Sequence, residues 1–241
     1  MSDSLVIIPT YNEIENIENI IRAIFSLKQQ FELLIIDDNS PDGTAVMVKK
    51  LQSEFPDRLH LYQRKGKLGL GTAYITGFKW ALERHYQFIF EMDADFSHNP
   101  ADLERLYEAC SEHDADLAIG SRYISGVNVV NWPMSRVLMS YYGSVYVRVI
   151  TGMQIMDTTA GFKCYTRKVL ENIGLDTIKM KGYGFQIEMK FTAWKKKYNI
   201  VEVPIIFTER KSGSSKMSKN IFKEAIWGVI KLKLSSFFRK Y

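Results

Sequence analysis

The 241-residue sequence predicts an α/β fold, with a mainly parallel sheet covered by helices on both faces. Short runs made wholly of apolar residues recur along the first half, as expected for strands buried on both faces. Between them, apolar residues recur at helical spacing, and this alternation of strand and helix is typical of a parallel sheet. Hydrophobic residues make up 46% and charged residues 24% of the chain, a balance that supports one large domain.

The first half supplies the elements of that sheet. Five strands are predicted, over residues 5–9, 31–36, 59–63, 88–92 and 117–119. The first helix is predicted by isoleucines at helical spacing, namely Ile14, Ile17, Ile20, Ile21 and Ile24. Further helices are predicted over 43–55 and 71–84, and Pro100 begins a fourth at its favoured first turn.

The second half is less regular. Residues 132–150 are apolar and aromatic with two arginines, and they predict an amphipathic, membrane-facing segment. The elements expected after it are a strand over 161–165, a helix over 185–196, a strand over 200–207 and a loop over 209–218. We therefore expect one domain over residues 1–218, followed by a basic amphipathic helix over 219–241.

The net charge of +5 is concentrated late in the chain, where residues 216–241 hold seven lysines and arginines against one glutamate. A nucleic-acid groove draws its charge from many elements, so no nucleic-acid partner is expected. A basic segment interleaved with apolar residues suits an anionic membrane surface, and no run approaches the roughly 20 apolar residues of a membrane span. Cys110 and Cys164 have neither metal-site nor disulfide-framework spacing, which indicates a reducing compartment. These features predict a cytoplasmic chain, associated peripherally with the cytoplasmic face of a membrane.

Asp93-Ala94-Asp95 directly follows the strand predicted over 88–92. Residues i and i+2 of an extended segment point to the same side, so two carboxylates converge at the carboxyl end of a strand, where open α/β sheets bind ligands. Such like charges repel unless a cation lies between them, and hard oxygen ligands favour Mg²⁺ or Mn²⁺. The alternative is a polar strand end that faces solvent.

Other polar positions each allow two interpretations. Asp37 and Asp38 either accept hydrogen bonds from a base or ribose, or belong to the turn that Pro41-Asp42-Gly43 predicts. The glycine-rich stretch 66–72 either contacts phosphate or makes a tight turn before a helix. His98 is either a metal ligand or base, or a loop residue. Four cations are either phosphate ligands or solvated surface charges, namely Arg122, Arg136, Arg210 and Lys216.

Eight short strings occur in order along more than 200 residues. They are IIPTYNE at 7–13, IIDDNSPDGT at 35–44, LGLGTAYITGF at 68–78, MDADFSHNP at 92–100, GSRY at 120–123, DTTAGFKCY at 157–165, KGYGFQIEM at 181–189 and RKSGSSKM at 210–217. Together they resemble glycosyltransferase family 2, and within it the dolichyl- or polyprenyl-phosphate mannose synthases of the compact form without transmembrane helices.

The resemblance implies a GT-A fold and inverting transfer of mannose from GDP-mannose to a polyprenyl or dolichyl phosphate. The nucleotide-sugar site that it implies comprises Pro9, Tyr11, Glu13, Ile36, Asp38, Asp93, Ala94, Asp95, Arg210 and Lys216. The implied Mg²⁺ or Mn²⁺ ligands are Asp93, Asp95 and Ser97, although Ser97 stands where some relatives have glutamine. The implied acceptor-phosphate site comprises Arg122, Arg136 and Ser140. The implied catalytic set is Asp95, Arg122, Arg136 and Arg210.

A phosphate acceptor would simplify the chemistry, because its second pKa of about 6 makes it largely dianionic at neutral pH without a strong base. Asp157 and Glu188 are the fallback base candidates. Three alternatives remain at this stage. One is a UDP-glucose-dependent polyprenyl-phosphate glucosyltransferase. The others are a sugar nucleotidyltransferase, which would have a glycine-rich basic loop after its first strand, and a non-catalytic nucleotide-binding partner of a membrane enzyme.

Overall fold

The computed structural model of the chain describes residues 2–180, 182–209 and 219–238. The strands are Ser4–Thr10 (β1), Glu32–Asp37 (β2), Leu59–Gln63 (β3), Phe88–Glu91 (β4), Leu117–Ser121 (β5), Val129–Val130 (β6), Lys163–Thr166 (β7), Ile200–Pro204 (β8) and Phe207–Thr208 (β9). Seven of them form one sheet in the order β3-β2-β1-β4-β7-β5-β8, and β6 pairs with β9 in a separate ribbon. Every pairing in the large sheet is parallel except those of β7. The predicted mainly parallel α/β architecture is confirmed.

The helices follow the predicted alternation. They are Ile17–Phe25 (α1), Thr44–Gln52 (α2), Leu70–Leu82 (α3), Asp102–Ser111 (α4), Met134–Thr151 (α5), Arg167–Asn172 (α6), Gly182–Lys195 (α7) and Lys219–Ser235 (α8). A single 3₁₀ turn covers Leu175–Thr177. The long helix α5 begins after Pro133, which has extended backbone angles, and ends at Gly152, whose φ of 81° suits the left-handed cap that glycine tolerates best.

The sheet separates two hydrophobic cores. Side chains alternate along each strand, so Ile7 packs with Phe78 on one face while the next residue, Ile8, packs with Phe31 on the other. This placement explains why the central residues of β1 and β2 are apolar. Each such side chain, removed fully from water, contributes about 1.5–3 kcal/mol to folding. Cys110 and Cys164 are buried free thiols, as their spacing predicts.

The C-terminal helix α8 docks on the domain with one flank. Val229 and Leu232 are buried against the core, and the hydroxyl of Tyr146 on α5 donates to the Ile226 carbonyl at 3.0 Å. Lys233 Nζ donates to the Thr151 carbonyl at 2.9 Å. The other flank leaves several large apolar side chains exposed, namely Trp227, Leu234, Phe237 and Phe238. No helix in the described ranges has the length and hydrophobicity needed to cross a membrane.

Three features of the second half were not expected from the sequence. The strand predicted over 200–207 is two strands, because Pro204 brings no N–H to the ladder and the chain then moves across to pair with β6. β7 runs antiparallel between β4 and β5, and α6 was not predicted at all. A helix of six residues is too short for its apolar residues to recur at helical spacing. The direction of a strand depends on contacts between residues that are distant in sequence.

Candidate active site

A cavity of about 740 Å³ opens at the carboxyl ends of β1, β2, β4 and β5. The predicted site residues that line it are Pro9, Tyr11, Glu13, Asp38, Asp93, Ala94, Asp95, Ser97, Arg122, Arg136 and Ser140. Ile36 does not line it, because its side chain is fully buried in one of the two cores. Arg210 and Lys216 lie outside the described residues. Most of the predicted site residues therefore meet at the carboxyl edge of the sheet, which is where open α/β sheets bind ligands.

Asp93 and Asp95 lie in the turn after β4. Asp95 is buried and its Oδ1 accepts a hydrogen bond from the Ser97 backbone N–H at 3.1 Å. Between them and Ser97, Phe96 has a φ of 58°, so the backbone turns back on itself. The Ser97 hydroxyl is buried and has no hydrogen-bond partner in the described part of the chain. These oxygen donors suit a hard divalent cation, although the described residues contain no group of three or more His, Cys, Asp or Glu that would hold one alone.

The two aspartates after β2 have different surroundings. Asp37 is fully buried and accepts hydrogen bonds from the Thr10 hydroxyl at 3.0 Å and from the Ser40 hydroxyl at 2.6 Å. It therefore holds the turn together. Asp38 lines the cavity, and its Oδ1 accepts a 2.5 Å hydrogen bond from Arg64 Nε. Of the two carboxylates, Asp38 is the one placed to meet a ligand.

Arg64 connects Asp38 to the glycine-rich loop 66–72, and sequence reasoning missed it. Its guanidinium also donates to the Thr72 hydroxyl at 2.8 Å and to the Gly69 carbonyl at 3.2 Å. Lys67 of the same loop lines the cavity, with its Nζ 4.6 Å from the centre of the Tyr11 ring. The loop is thus both a tight turn tied to the sheet and a wall of the cavity, so the two interpretations of this stretch are compatible.

Arg122 forms a buried, two-pronged ion pair with Asp157. Its Nε and Nη2 atoms each lie 2.7 Å from a carboxylate oxygen of Asp157, and Nη2 also donates to the Thr159 hydroxyl at 2.8 Å. Burial alone would raise the pKa of Asp157, but the Arg122 guanidinium outweighs it and holds that pKa below its ordinary value. Asp157 is therefore an ionised partner of Arg122 rather than an available base.

Arg136, on α5, forms an ion pair with Glu209, which is 73 residues away in sequence. Its Nη1 lies 2.6 Å from Glu209 Oε1, and its guanidinium lies 4.1 Å from the centre of the Trp132 ring. Ser140, one turn further along the helix, accepts a 2.7 Å hydrogen bond from the Tyr123 hydroxyl. Two of the three residues predicted to meet an acceptor phosphate, Arg136 and Ser140, are thus on the wall of the cavity that α5 provides, and Arg122 lines the cavity after β5.

The remaining candidate bases are engaged in packing. His98 is buried and stacks on Phe162, with ring centres 4.9 Å apart, and burial lowers its pKa to about 4. A neutral imidazole in an aromatic stack is a packing residue at neutral pH. Glu188 Oε2 accepts hydrogen bonds from the backbone N–H groups of Lys179 and Met180, both at 2.8 Å. It therefore fixes the chain just before α7.

Residues 5–174 match the family described as Glycosyl transferase family 2. The chain belongs to this family. It is 47% identical over 231 residues to a polyprenol monophosphomannose synthase of Mycolicibacterium smegmatis, and the aligned region covers 94% of this chain and 87% of that protein. It is 46% identical over 230 residues to an undecaprenyl-phosphate mannosyltransferase of Micrococcus luteus, covering 93% of each. The chain is thus a glycosyltransferase, rather than a nucleotidyltransferase or a non-catalytic partner.

Solved structures share its GT-A fold. Glucosyl-3-phosphoglycerate synthase of Mycobacterium tuberculosis, in complex with Mn²⁺, UDP and glucosyl-3-phosphoglycerate, has a TM-score of 0.67 at 17% identity, over 99% of this chain and 81% of that chain. The mannosyltransferase PcManGT of Pyrobaculum calidifontis, in complex with GDP-Man and Mn²⁺, has a TM-score of 0.57 at 16% identity, over 98% and 71%. At this level of identity the likeness establishes the fold.

The cavity of this family 2 glycosyltransferase has an apolar end that the sequence motifs did not identify. It is formed by side chains of α5, α7 and α8. Its lining side chains are Met139, Tyr142, Tyr146, Val147, Ile187, Ile226 and Val229. The apolar segments were visible in the sequence, but their meeting at the cavity depends on how α8 docks.

Proposed function

We propose that this glycosyltransferase moves mannose from GDP-mannose to the phosphate of a polyprenyl or dolichyl monophosphate, with inversion and with Mg²⁺ or Mn²⁺. The observation that carries the proposal is the continuity of one cavity from a carboxylate-lined polar end to the apolar end between α5 and α8. A substrate with a charged head and an isoprenoid tail matches that division. The names of the two relatives support the acceptor and the sugar. The GDP-Man bound to PcManGT supports the donor.

The polar end divides into a donor side and an acceptor side. Pro9, Tyr11, Glu13 and Asp38 would bind the nucleotide, with Arg210 and Lys216 on its phosphates. Asp93 and Asp95 would hold the metal with oxygens of the diphosphate, and the unpartnered Ser97 hydroxyl fits a place in or beside that ligand set. The bound cation would neutralise the charge of the departing GDP.

On the acceptor side, Arg136 and Ser140 would orient the phosphate, with Arg122 behind them. The acceptor oxygen is already largely ionised at neutral pH, so no side chain has to remove a proton. This fits a cavity in which His98 is stacked and neutral and Asp157 is bound to Arg122. Positioning and charge would then supply most of the rate enhancement.

The proposal includes a peripheral position on the cytoplasmic face of a membrane. Helix α5 exposes four large apolar side chains, Met134, Leu138, Met139 and Tyr142, of which Met139 and Tyr142 line the cavity. The exposed flank of α8 adds Trp227 and the two phenylalanines that follow the helix. Large exposed apolar side chains on neighbouring helices favour burial in the headgroup region of a bilayer.

The test offers labelled GDP-mannose and labelled UDP-glucose separately to the purified protein with a polyprenyl phosphate, and measures label extracted into organic solvent. We expect extraction from GDP-mannose that depends on the lipid phosphate and stops with EDTA. Extraction from UDP-glucose alone would instead establish the glucosyltransferase, whose donor base is the one bound in the glucosyl-3-phosphoglycerate synthase complex. No extraction from either donor would refute the proposal.

A further inference from the structure

The loop over residues 156–161 is held by side chains of two elements, β8 and α7. It precedes β7 and lies at the same edge of the sheet as Asp93 and Asp95, because β7 pairs antiparallel with β4. Thr159, Ala160 and Gly161 line the cavity. The Asp157 side chain in the same loop carries the Arg122 guanidinium. The position of this loop therefore sets the position of a cation at the cavity wall.

Glu202, on β8, holds the beginning of the loop. Its two carboxylate oxygens accept hydrogen bonds from consecutive backbone N–H groups, Oε2 from Met156 at 2.6 Å and Oε1 from Asp157 at 2.9 Å. A carboxylate that receives two neighbouring amides fixes both peptide planes at once.

Lys190, on α7, holds the rest of the loop. Its fully buried Nζ donates to the Thr158 carbonyl at 3.0 Å and to the Ala160 carbonyl at 2.7 Å. Lys190 occurs in none of the ion pairs of the described residues, and burial lowers its pKa well below the ordinary value. A buried amine is costly, and an apolar side chain of similar size would normally be as stable or more stable. The two hydrogen bonds to the loop supply a reason for a lysine here.

We propose that Lys190 is a positioning residue, which together with Glu202 fixes the loop 156–161 as a preformed wall of the cavity and so places Arg122. The expected effect on kcat rests on the proposed function, but the placement of the loop by Lys190 and Glu202 does not depend on which reaction the protein catalyses. Displacing a reacting group by about 1 Å costs on the order of 100-fold in rate. A loosened loop should therefore reduce kcat, whereas the nucleotide side of the cavity, near Asp38, should be unaffected.

The test compares Lys190→Met with Lys196→Met, the same change at a partly exposed position just beyond α7. Hydrogen exchange of the amides of residues 156–161, the Kd for GDP, and kcat are measured in each. For Lys190→Met we expect exchange in the loop to accelerate about 10-fold or more, kcat to fall about 10- to 100-fold, and the Kd for GDP to stay within about twofold of wild type. Lys196→Met should match wild type in all three.

Unchanged exchange in the loop would overturn the proposal, as would faster exchange throughout the protein with a parallel loss of GDP binding. If Lys190→Met does not fold, Glu202→Gln tests the same loop from its other end, since an NH₂ donor then replaces one of the two carboxylate oxygens that each accept a backbone N–H. The same local increase in exchange and the same fall in kcat are expected there, and their absence would overturn the proposal. Exchange and GDP binding need no turnover, so a wild type that transfers no mannose would refute the proposed function and leave this test intact.

Discussion

The change Asp157→Asn removes the negative charge that the buried Arg122 guanidinium faces. The Arg122 side chain is 9% exposed and that of Asp157 is 0% exposed, with two 2.7 Å contacts between them. An asparagine keeps the shape but leaves the guanidinium uncompensated. Removing one partner of a buried ion pair costs about 3–5 kcal/mol, so the free energy of unfolding at pH 7 should fall by about that amount. Urea denaturation measures it.

The pH dependence of that loss gives a second check. The pKa of Asp157 is lower in the folded protein than in the unfolded chain. The ion pair therefore stabilises the folded protein fully above the unfolded-state pKa of about 3.9, and this stabilisation is lost as the pH falls through the folded-state pKa. The difference between wild type and variant should be constant from about pH 7 to pH 5 and shrink below about pH 4. The control Glu171→Gln removes an exposed pair with Arg167 and should cost less than about 1 kcal/mol. A loss below 1 kcal/mol for Asp157→Asn as well would refute the reasoning.

Three further predictions concern the metal, the acceptor and the membrane. Asp95→Asn should reduce mannosyl transfer by at least about 100-fold while circular dichroism and the melting temperature stay near wild type, because it weakens the ligand set with little change in volume. Arg136→Ala should reduce kcat/KM for the acceptor by about 10- to 100-fold with little change in the Kd for GDP, since it removes a charged donor to phosphate. Replacing Trp227, Phe237 and Phe238 together by serine should weaken binding to anionic vesicles by more than about tenfold, because these side chains are 70%, 70% and 91% exposed and free to enter a bilayer.

The acceptor and membrane predictions each have a matched control variant, and chelation tests the metal. Full activity of the wild type after exhaustive chelation would contradict the metal role. Glu209→Gln breaks the same ion pair as Arg136→Ala but keeps the guanidinium, so it should retain acceptor kinetics; an equal loss in both variants would show that the pair is structural. Val46→Ser changes an apolar side chain that is 71% exposed on α2 and should leave vesicle binding unchanged. If the triple variant also binds vesicles like wild type, the membrane contact lies elsewhere.

Local sequence signals were sufficient for the first half of the fold and much of the cavity. The strands β1, β2, β4 and β5 are mostly buried and so contain runs of apolar residues, and α1 shows its buried isoleucines at regular spacing. Asp93 and Asp95 follow such a run, and any group that follows a parallel strand lies at the carboxyl edge of the sheet. For these residues, position in sequence fixes position in the fold.

The pairings in and around the cavity could not be predicted in the same way. Arg64 meets Asp38 across 26 residues, Arg136 meets Glu209 across 73, and Lys190 meets the Thr158 carbonyl across 32. Each contact depends on two elements that come together only after the sheet has formed, and no local pattern of apolar residues specifies it. The insertion of the antiparallel β7 between β4 and β5 has the same origin, since only tertiary packing decides which strands become neighbours.

The ion pairs at the cavity differ in how easily an anionic substrate can open them. Separating Arg122 from Asp157 would leave a carboxylate that is 0% exposed without its counter-charge, at a cost of several kcal/mol. The side chains of Arg136 and Glu209 are 27% and 38% exposed, so water can solvate either after separation and the pair contributes about 1 kcal/mol or less. A phosphate dianion that approaches from the side of α5 therefore replaces Glu209 at Arg136 far more cheaply than it replaces Asp157 at Arg122. In the proposed reaction, Arg136 would therefore be the cation that exchanges partners, while Arg122 would stay paired with Asp157 and contribute its charge from a fixed position.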